Sequence, residues 1–240
     1  MTKHVPLLLM VAALASTPAV AQQANAGVLG ISPTGQPGTY DLTFEPYVVK
    51  GFGRATFGMS MDEVRALIRR DYPAATSVEE EADAVARTRV INVVVPQLAP
   101  APGPASISYV FGASSTRLAA VNVSWIAPGE ATPAQREALT QAGATLVGGV
   151  SGSYWPPLST VRGHVLAPGI VILFAGQDAA GHGIEIRLDG VPLLVQRASG
   201  TATPRPPERI AAPPGSARLR LAVVENAKRP DVFRLPAGSF

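Results

Sequence analysis

The chain has 240 residues, a formal net charge of +3 at pH 7 and 47% hydrophobic residues, but no cysteine. The lack of cysteine excludes disulfides, thiolate metal sites, a cysteine nucleophile and a lipid-modified N-terminal cysteine. The near balance of 20 basic and 17 acidic residues argues against nucleic acid or an anionic membrane as a dedicated partner.

The first 21 residues have the pattern of a secretory signal peptide. Lys3 precedes a short apolar run, and Ala19 and Ala21 place small residues at both positions that determine cleavage. We therefore predict cleavage after Ala21 and delivery to the periplasm or the extracellular medium. The apolar run is too short for a transmembrane helix, and no later segment offers a long one.

Residues 22–50 form a leader rich in Gly, Pro and Thr. Leu42 and Phe44 alternate with polar neighbours, which predicts one possible edge strand, and Pro46 keeps such a strand at the edge of a sheet. Residues 51–128 are then predicted to form a first unit that combines a helix with an antiparallel sheet.

The helix of this unit begins at a capping box. The Ser60 hydroxyl can accept a hydrogen bond from the Glu63 N–H while the carboxylate reaches back to the Ser60 N–H. Met59 and Val64 can close a hydrophobic staple. The apolar positions repeat at helical spacing and are Met61, Val64, Leu67 and Ile68. A helix this short needs a sheet on which to dock this apolar face.

The segment that follows is ambiguous. Ser77 and Glu80 could cap a second short helix, or the same acidic residues could form a loop. The β-branched residues of 88–95 predict a strand that Pro96 ends. Next, residues 106–111 and 118–125 alternate as a hairpin in which Val121 and Trp125 share the apolar face.

The pattern recurs in residues 129–198, the predicted second unit. Thr132 and Gln135 form another capping box, with Pro133 at the first helical position and Gly143 just past the predicted end. A strand over 159–167 and a hairpin over 169–190 follow. The repeated order predicts an α+β fold in which short helices pack on antiparallel sheet as a tandem helix-plus-sheet repeat.

The remainder of the chain begins with a proline-rich linker, residues 199–216. Residues 217–240 are predicted to be a C-terminal strand or a tail. Leu219 and Leu221 face one way and Arg218 and Arg220 the other, which favours a strand, and residues 232–235 are a candidate second strand that pairs with it.

The first predicted helix opens with Gly58, Ser60, Glu63 and Val64, an antiparallel sheet follows it, and the same order then recurs. This order of elements over residues 52–190 resembles the β-lactamase inhibitor protein-like fold. The SmpA/OmlA outer-membrane assembly lipoproteins look similar in the same way. The resemblance implies a helix packed on sheet in each unit and, by analogy, a protein-binding role. The chain lacks the cysteines that brace the inhibitors and anchor the lipoproteins.

Two groups of residues are candidates for binding. Strand alternation places Asn122, Ser124, Glu185 and Arg187 on the sheet face opposite the helices, where they form either a docking surface or an ordinary solvated face. Tyr154 and Trp155 form an aromatic pair in a predicted loop. They either fill the junction between the units or serve as an exposed anchor for a partner.

His164, His182 and Asp178 are the only residues that suggest a metal site or an enzyme. His164 fits a strand as a structural imidazole, and His182 fits an exposed loop residue near Asp178. If the strands pair closely, the two histidines could approach each other and form a weak metal site.

The function predicted from the sequence is therefore that of an exported, non-enzymatic protein-binding module of the cell envelope without a cofactor. A metal-binding protein or enzyme that uses the two histidines and the aspartate is one alternative. A purely structural envelope component is the other.

Overall fold

The computed structural model describes residues 46–195 and 208–234. The described fold is α+β, as the sequence predicts, with helices α1 (Met61–Asp71) and α2 (Pro133–Ser151). The strands are β1 (Gly51–Phe52), β2 (Ala55–Thr56), β3 (Ser77–Asp83), β4 (Thr88–Val95), β5 (Ala105–Phe111), β6 (Leu118–Ala127), β7 (Thr160–Ala167), β8 (Ile170–Gln177), β9 (Gly183–Asp189), β10 (Leu193–Val195), β11 (Glu208–Ile210) and β12 (Ala217–Val224). Neither described helix combines the length and the hydropathy that a membrane-spanning segment needs.

Eight of the strands form one antiparallel sheet in the order β3-β4-β5-β6-β12-β9-β8-β7. The sequence leaves open one sheet or two, and the structure has one main sheet because β12 pairs with both β6 and β9. The strands β1 and β2 form a small separate sheet, and β10 and β11 form another. Residues 217–224 of the C-terminal region therefore form a central strand of this sheet.

Residues 225–234 leave the sheet after β12 and do not pair back on it as predicted. The Phe233 N–H instead donates to the carbonyl oxygen of Ala86, between β3 and β4, and the Arg87 guanidinium lies over the Phe233 ring. The Asp231 carboxylate accepts hydrogen bonds from the backbone N–H groups of Ser114 and Ser115, each at 2.9 Å. This segment thus ties together two turns at one end of the sheet.

Helix α1 begins and packs as its sequence predicts. Both hydrogen bonds of the capping box are present, with the Ser60 N–H 2.8 Å from a carboxylate oxygen of Glu63. Val64, Leu67 and Ile68 are buried in the core. Reciprocal capping satisfies donors that the first helical turn leaves unpaired, so the helix starts at a defined residue.

The acidic segment 77–83 is neither a helix nor a loop but the edge strand β3. It pairs with β4 along its whole length, and Glu80 accepts two hydrogen bonds from the Arg65 guanidinium of α1, at 2.6 and 2.7 Å. Cross-strand pairing therefore overrides the local helical preference of the glutamates. Charged residues on an exposed edge also hinder pairing with another chain.

Helix α2 has the predicted capping box at Thr132 and Gln135 but does not end at Gly143. It continues to Ser151, and Gly143 is buried where the helix crosses the sheet. A methyl group at Gly143 would lie 2.6 Å from Leu173 Cδ1. The glycine thus allows close approach of helix and sheet, and the prediction of a helix end there is wrong.

Both helices pack on the same face of the main sheet. That face holds the large buried side chains, among them Tyr109, Trp125 and Phe174. Buried Arg136 in α2 donates to the carbonyl oxygens of Ala131, Gly190 and Gly215, which fixes the start of the helix to the loops beside β9 and β12.

Parts of the predicted organisation lie outside the described residues. These are residues 1–45, with the signal peptide and the possible strand at Leu42 and Phe44, together with residues 196–207 and 235–240. Of the predicted proline-rich linker, residues 208–210 form β11.

Candidate functional site

Neither described helix covers the second face of the main sheet, which we call the open face. Its central positions follow from the register of β4, β5, β6, β12 and β9, in which directly paired residues share a face. The polar residues at these central positions are Asn92, Ser106, Ser108, Asn122, Ser124, Glu185, Arg187, Asp189, Arg218 and Arg220, and β3 adds Ser77, Glu79 and Glu81 at the edge of the same face. Asn122, Ser124, Glu185 and Arg187 therefore share one face, where the alternation of the sequence places them.

Ion pairs connect the β9 and β12 side of the open face. Asp189 is paired with Arg187, 3.0 Å between Nε and Oδ1, and with Arg218, 2.5 Å between a terminal nitrogen and Oδ2. The Arg187 and Asp189 side chains are only 18% and 16% exposed. Because these side chains are held by partial burial as well as by charge, their positions are more fixed than those of ordinary surface ion pairs.

Arg220 lies beside this group at the centre of the sheet. One of its terminal nitrogens donates to Asn122 Oδ1 at 2.8 Å, and the other lies 4.0 Å from Glu185 Oε1. In register, Arg220 faces Ser124 on β6 and Arg187 on β9. Two arginines from neighbouring strands therefore stand side by side at the middle of the open face.

Burial and neighbouring positive charges both disfavour the charged form of Arg220. Burial lowers the pKa of its guanidinium, the nearby Glu185 carboxylate opposes this effect, and the positive charges of Arg187 and Arg218 lower the pKa further. Like charges near one another disfavour the charged form. At the centre of the open face two carboxylates, Glu185 and Asp189, thus lie beside three arginines, Arg187, Arg218 and Arg220, which we call the arginine cluster.

The aromatic pair of the sequence divides between core and surface. Trp155 is buried, stacks on Tyr47 with ring centroids 4.7 Å apart, and donates from Nε1 to the Val150 carbonyl oxygen at 2.9 Å. It packs against Phe174 on the helix-covered face, whereas Tyr154 is 45% exposed. The pair therefore does not join the open face, and Trp155 fills the core instead of presenting an anchor.

Asp178 and His182 do meet, but the carboxylate is already occupied. Asp178 is 5% exposed and accepts hydrogen bonds from the N–H groups of Val49, Ala180 and His182, each at 2.9 Å. Its Oδ2 also lies 3.1 Å from His182 Nδ1. These contacts hold the turn between β8 and β9 and attach the segment around Val49 to it. The Asp178 and His182 side chains therefore stabilise this turn.

His164 lies away from this pair. It is exposed on the edge strand β7, where it pairs in register with Ile172, and is not an enclosed structural imidazole. Ile172 is six residues before Asp178, a separation of about 20 Å along a strand. The predicted approach of the two histidines is therefore wrong, and within residues 46–195 and 208–234 no three metal-ligating side chains come together.

Sequence reasoning misses three members of the charged network, namely Asp189, Arg218 and Arg220. Alternation in residues 217–224 indicates that the two arginines share a face. It contains no signal that this strand inserts between β6 and β9, which is the step that places the arginines beside Asn122 and Arg187.

Comparison of the chain with protein-family models, with curated proteins and with solved structures finds no match.

Proposed function

We propose that this chain is an exported, non-enzymatic protein-binding module of the cell envelope whose contact surface is the open face. The observation that carries this proposal is the arginine cluster, three guanidinium groups beside two carboxylates, at the centre of a sheet face that neither described helix covers. Arginine is enriched in protein interfaces, and side chains already fixed before binding lose less entropy when a partner docks.

The open face also contains apolar contact area. Ile126 is 44% exposed and Val94 36% exposed, and both lie among its polar residues. Specific interfaces combine apolar area with oriented polar groups. A face of this composition suits a protein partner better than a small ligand, because it is broad and extends over several strands.

We further propose that the fold arose as a tandem repeat. A helix is followed by four strands of the main sheet twice, as α1 with β3 to β6 and as α2 with β7, β8, β9 and β12. Each set has the same internal strand order, and the last strands of the two sets pair antiparallel at the centre. Both helices also begin with a capping box. The duplication would place the arginine cluster next to the junction of the repeats.

Export rests on the first 21 residues. N-terminal sequencing of the protein purified from its native host tests it, since cleavage after Ala21 gives a mature chain that begins at Gln22. A mature chain that retains Met1 or Thr2 would contradict export by this route.

Affinity capture from envelope extracts of the native host tests the binding role. We expect wild-type protein to capture a specific partner and Arg187→Glu to capture at least tenfold less, because the reversed charge also repels Asp189. The matched control is Arg69→Glu, an exposed position on α1. Melting curves establish that each variant folds.

Equal capture by folded Arg187→Glu and by wild type would contradict the role of the open face. Capture that is lost equally in the Arg69→Glu control would show that net charge, and not this face, governs binding. Absence of any specific partner would favour a structural envelope component. Tyr154→Ala serves as a separate test of the exposed aromatic residue, and we expect it to leave capture unchanged.

A further inference from the structure

The charged groups of the open face are unequally paired. Asp189 is the partner of both Arg187 and Arg218. Glu185 lies 4.0 Å from Arg220, beyond hydrogen-bond distance. Among the described residues, the single hydrogen bond of the Arg220 guanidinium is the one to Asn122 Oδ1. Since a guanidinium has five N–H donors, Arg220 retains donors that no described residue uses.

Asn122 adds a second unused donor next to Arg220. Its side-chain oxygen accepts from the guanidinium, which fixes the orientation of the amide and identifies Nδ2 as the nitrogen. Asn122 is 7% exposed, and its Nδ2 has no hydrogen-bond partner within the described part of the chain. A buried polar group without a partner costs free energy, so a ligand that accepts from Nδ2 gains by binding there.

The charged and polar groups around these donors favour one class of ligand over others. On β6 the residue paired with Arg220 is the uncharged Ser124. The nearest carboxylates, Glu185 and Asp189, lie on β9, on the other side of Arg220. A planar monoanion with two acceptor oxygens matches a guanidinium with spare N–H groups. The two carboxylates would repel a dianion such as phosphate about twice as strongly as they repel a monoanion.

We propose that the open face binds an aspartate or glutamate side chain of its protein partner, with Arg220 and Asn122 as the receiving groups. This inference rests on the proposed function and adds the chemistry of the partner. Burial lowers the pKa of the Arg220 guanidinium, and the positive charges of Arg187 and Arg218 lower it further. This direction is consistent with a missing negative charge.

NMR titration with an N-acetylated hexaglutamate peptide tests the proposal. We expect saturable shifts of the Asn122 side-chain amide, and a Kd that rises with salt concentration because the contact is ionic. Arg220→Gln should weaken binding at least tenfold, while the exposed control Arg69→Gln should bind as wild type does. Hexaglutamine should cause no shift.

Several outcomes would overturn the inference. They are the absence of a saturable shift, equal binding by folded Arg220→Gln, and shifts with inorganic phosphate as large as those with the peptide. Sodium acetate that binds as tightly as the peptide would indicate a site for small carboxylates and not for a protein side chain.

Asn122→Asp provides an independent test with a nearly isosteric change. The new carboxylate would pair with the Arg220 guanidinium and take the place of the ligand carboxylate. We therefore expect the variant to fold and to lose peptide binding. Retained binding would contradict the proposal. If a natural partner loses affinity for Arg187→Glu but not for Arg220→Gln, this inference fails while the proposed function stands.

Discussion

Replacing Gly143 with valine should destabilise the protein, because helix α2 approaches the sheet closely at this position. An added Cβ atom would lie 2.6 Å from Leu173 Cδ1, 3.4 Å from Leu219 Cδ1 and 3.6 Å from Leu188 Cδ1. Valine adds two further methyl groups to the same space. At Gly148, five residues later in the same helix, an added Cβ atom would meet no atom within 4 Å.

The size of the effect follows from two opposing contributions. Glycine in a helix interior is worse than valine by only a few tenths of a kcal/mol, while overpacking a close contact costs about 1–3 kcal/mol. Gly143→Val should therefore lower the free energy of unfolding by about 2 kcal/mol, which for a chain of this length lowers Tm by roughly 4–8 °C. Gly148→Ala should instead raise the free energy of unfolding by about 0.5–1 kcal/mol.

Urea denaturation followed by circular dichroism measures both variants against wild type. The comparison separates helix propensity from packing, because both changes remove a glycine from the same helix. A Gly143→Val variant as stable as wild type would refute the close helix-to-sheet contact. Destabilisation by Gly148→Ala would refute the continuation of the helix beyond Gly143.

Three further predictions concern the cap, the aromatic pair and the C-terminal segment. Ser60→Ala should lower the free energy of unfolding by about 1 kcal/mol, since it removes the N-cap of α1; an unchanged urea midpoint would mean that the helix does not depend on this cap. Trp155→Ala should cost about 3–5 kcal/mol by leaving a cavity, whereas Tyr154→Ala should change the free energy of unfolding by less than about 0.5 kcal/mol; similar melting curves for the two would contradict the assignment of Trp155 to the core. Burial raises the pKa of the Asp231 carboxyl, but hydrogen bonds from Ser115 and Ser114 lower it below its usual value, so its stabilising contribution is present above the unfolded pKa of about 3.9 and is lost as pH falls through the folded pKa. Asp231→Asn should therefore be less stable than wild type by about 0.5 kcal/mol at pH 7, a small value because solvent screens this partly exposed carboxylate, and the difference should shrink below about pH 4; a difference independent of pH would contradict this account.

The sequence predicts the features that depend on local chemistry. The capping boxes at Ser60 and Thr132 are present because a few neighbouring residues suffice to form them. The hairpin of β5 and β6 is confirmed because alternation and a short loop specify it. The open face follows from the same alternation, which is why Asn122 and Arg187 are correctly placed on one face.

The features that depend on distant parts of the chain could not be predicted. Glu80 lies in a strand because β4 and Arg65 provide its partners, and local propensity does not report either contact. Gly143 has the same local signature as a helix end but is required by tertiary packing. The pairing of Arg220 with Asn122 spans 98 residues, so only the assembled sheet reveals the arginine cluster.

Site-specific photo-crosslinking in the native host tests the central claim most directly. A photoreactive amino acid at Ile126 probes the open face from an exposed position, and the same amino acid at Glu137 probes the exposed side of α2. We expect a discrete protein adduct from Ile126 that Arg187→Glu abolishes, and no such adduct from Glu137. Equal adducts from both positions, or an Ile126 adduct that persists in folded Arg187→Glu, would contradict the assignment of partner binding to the open face.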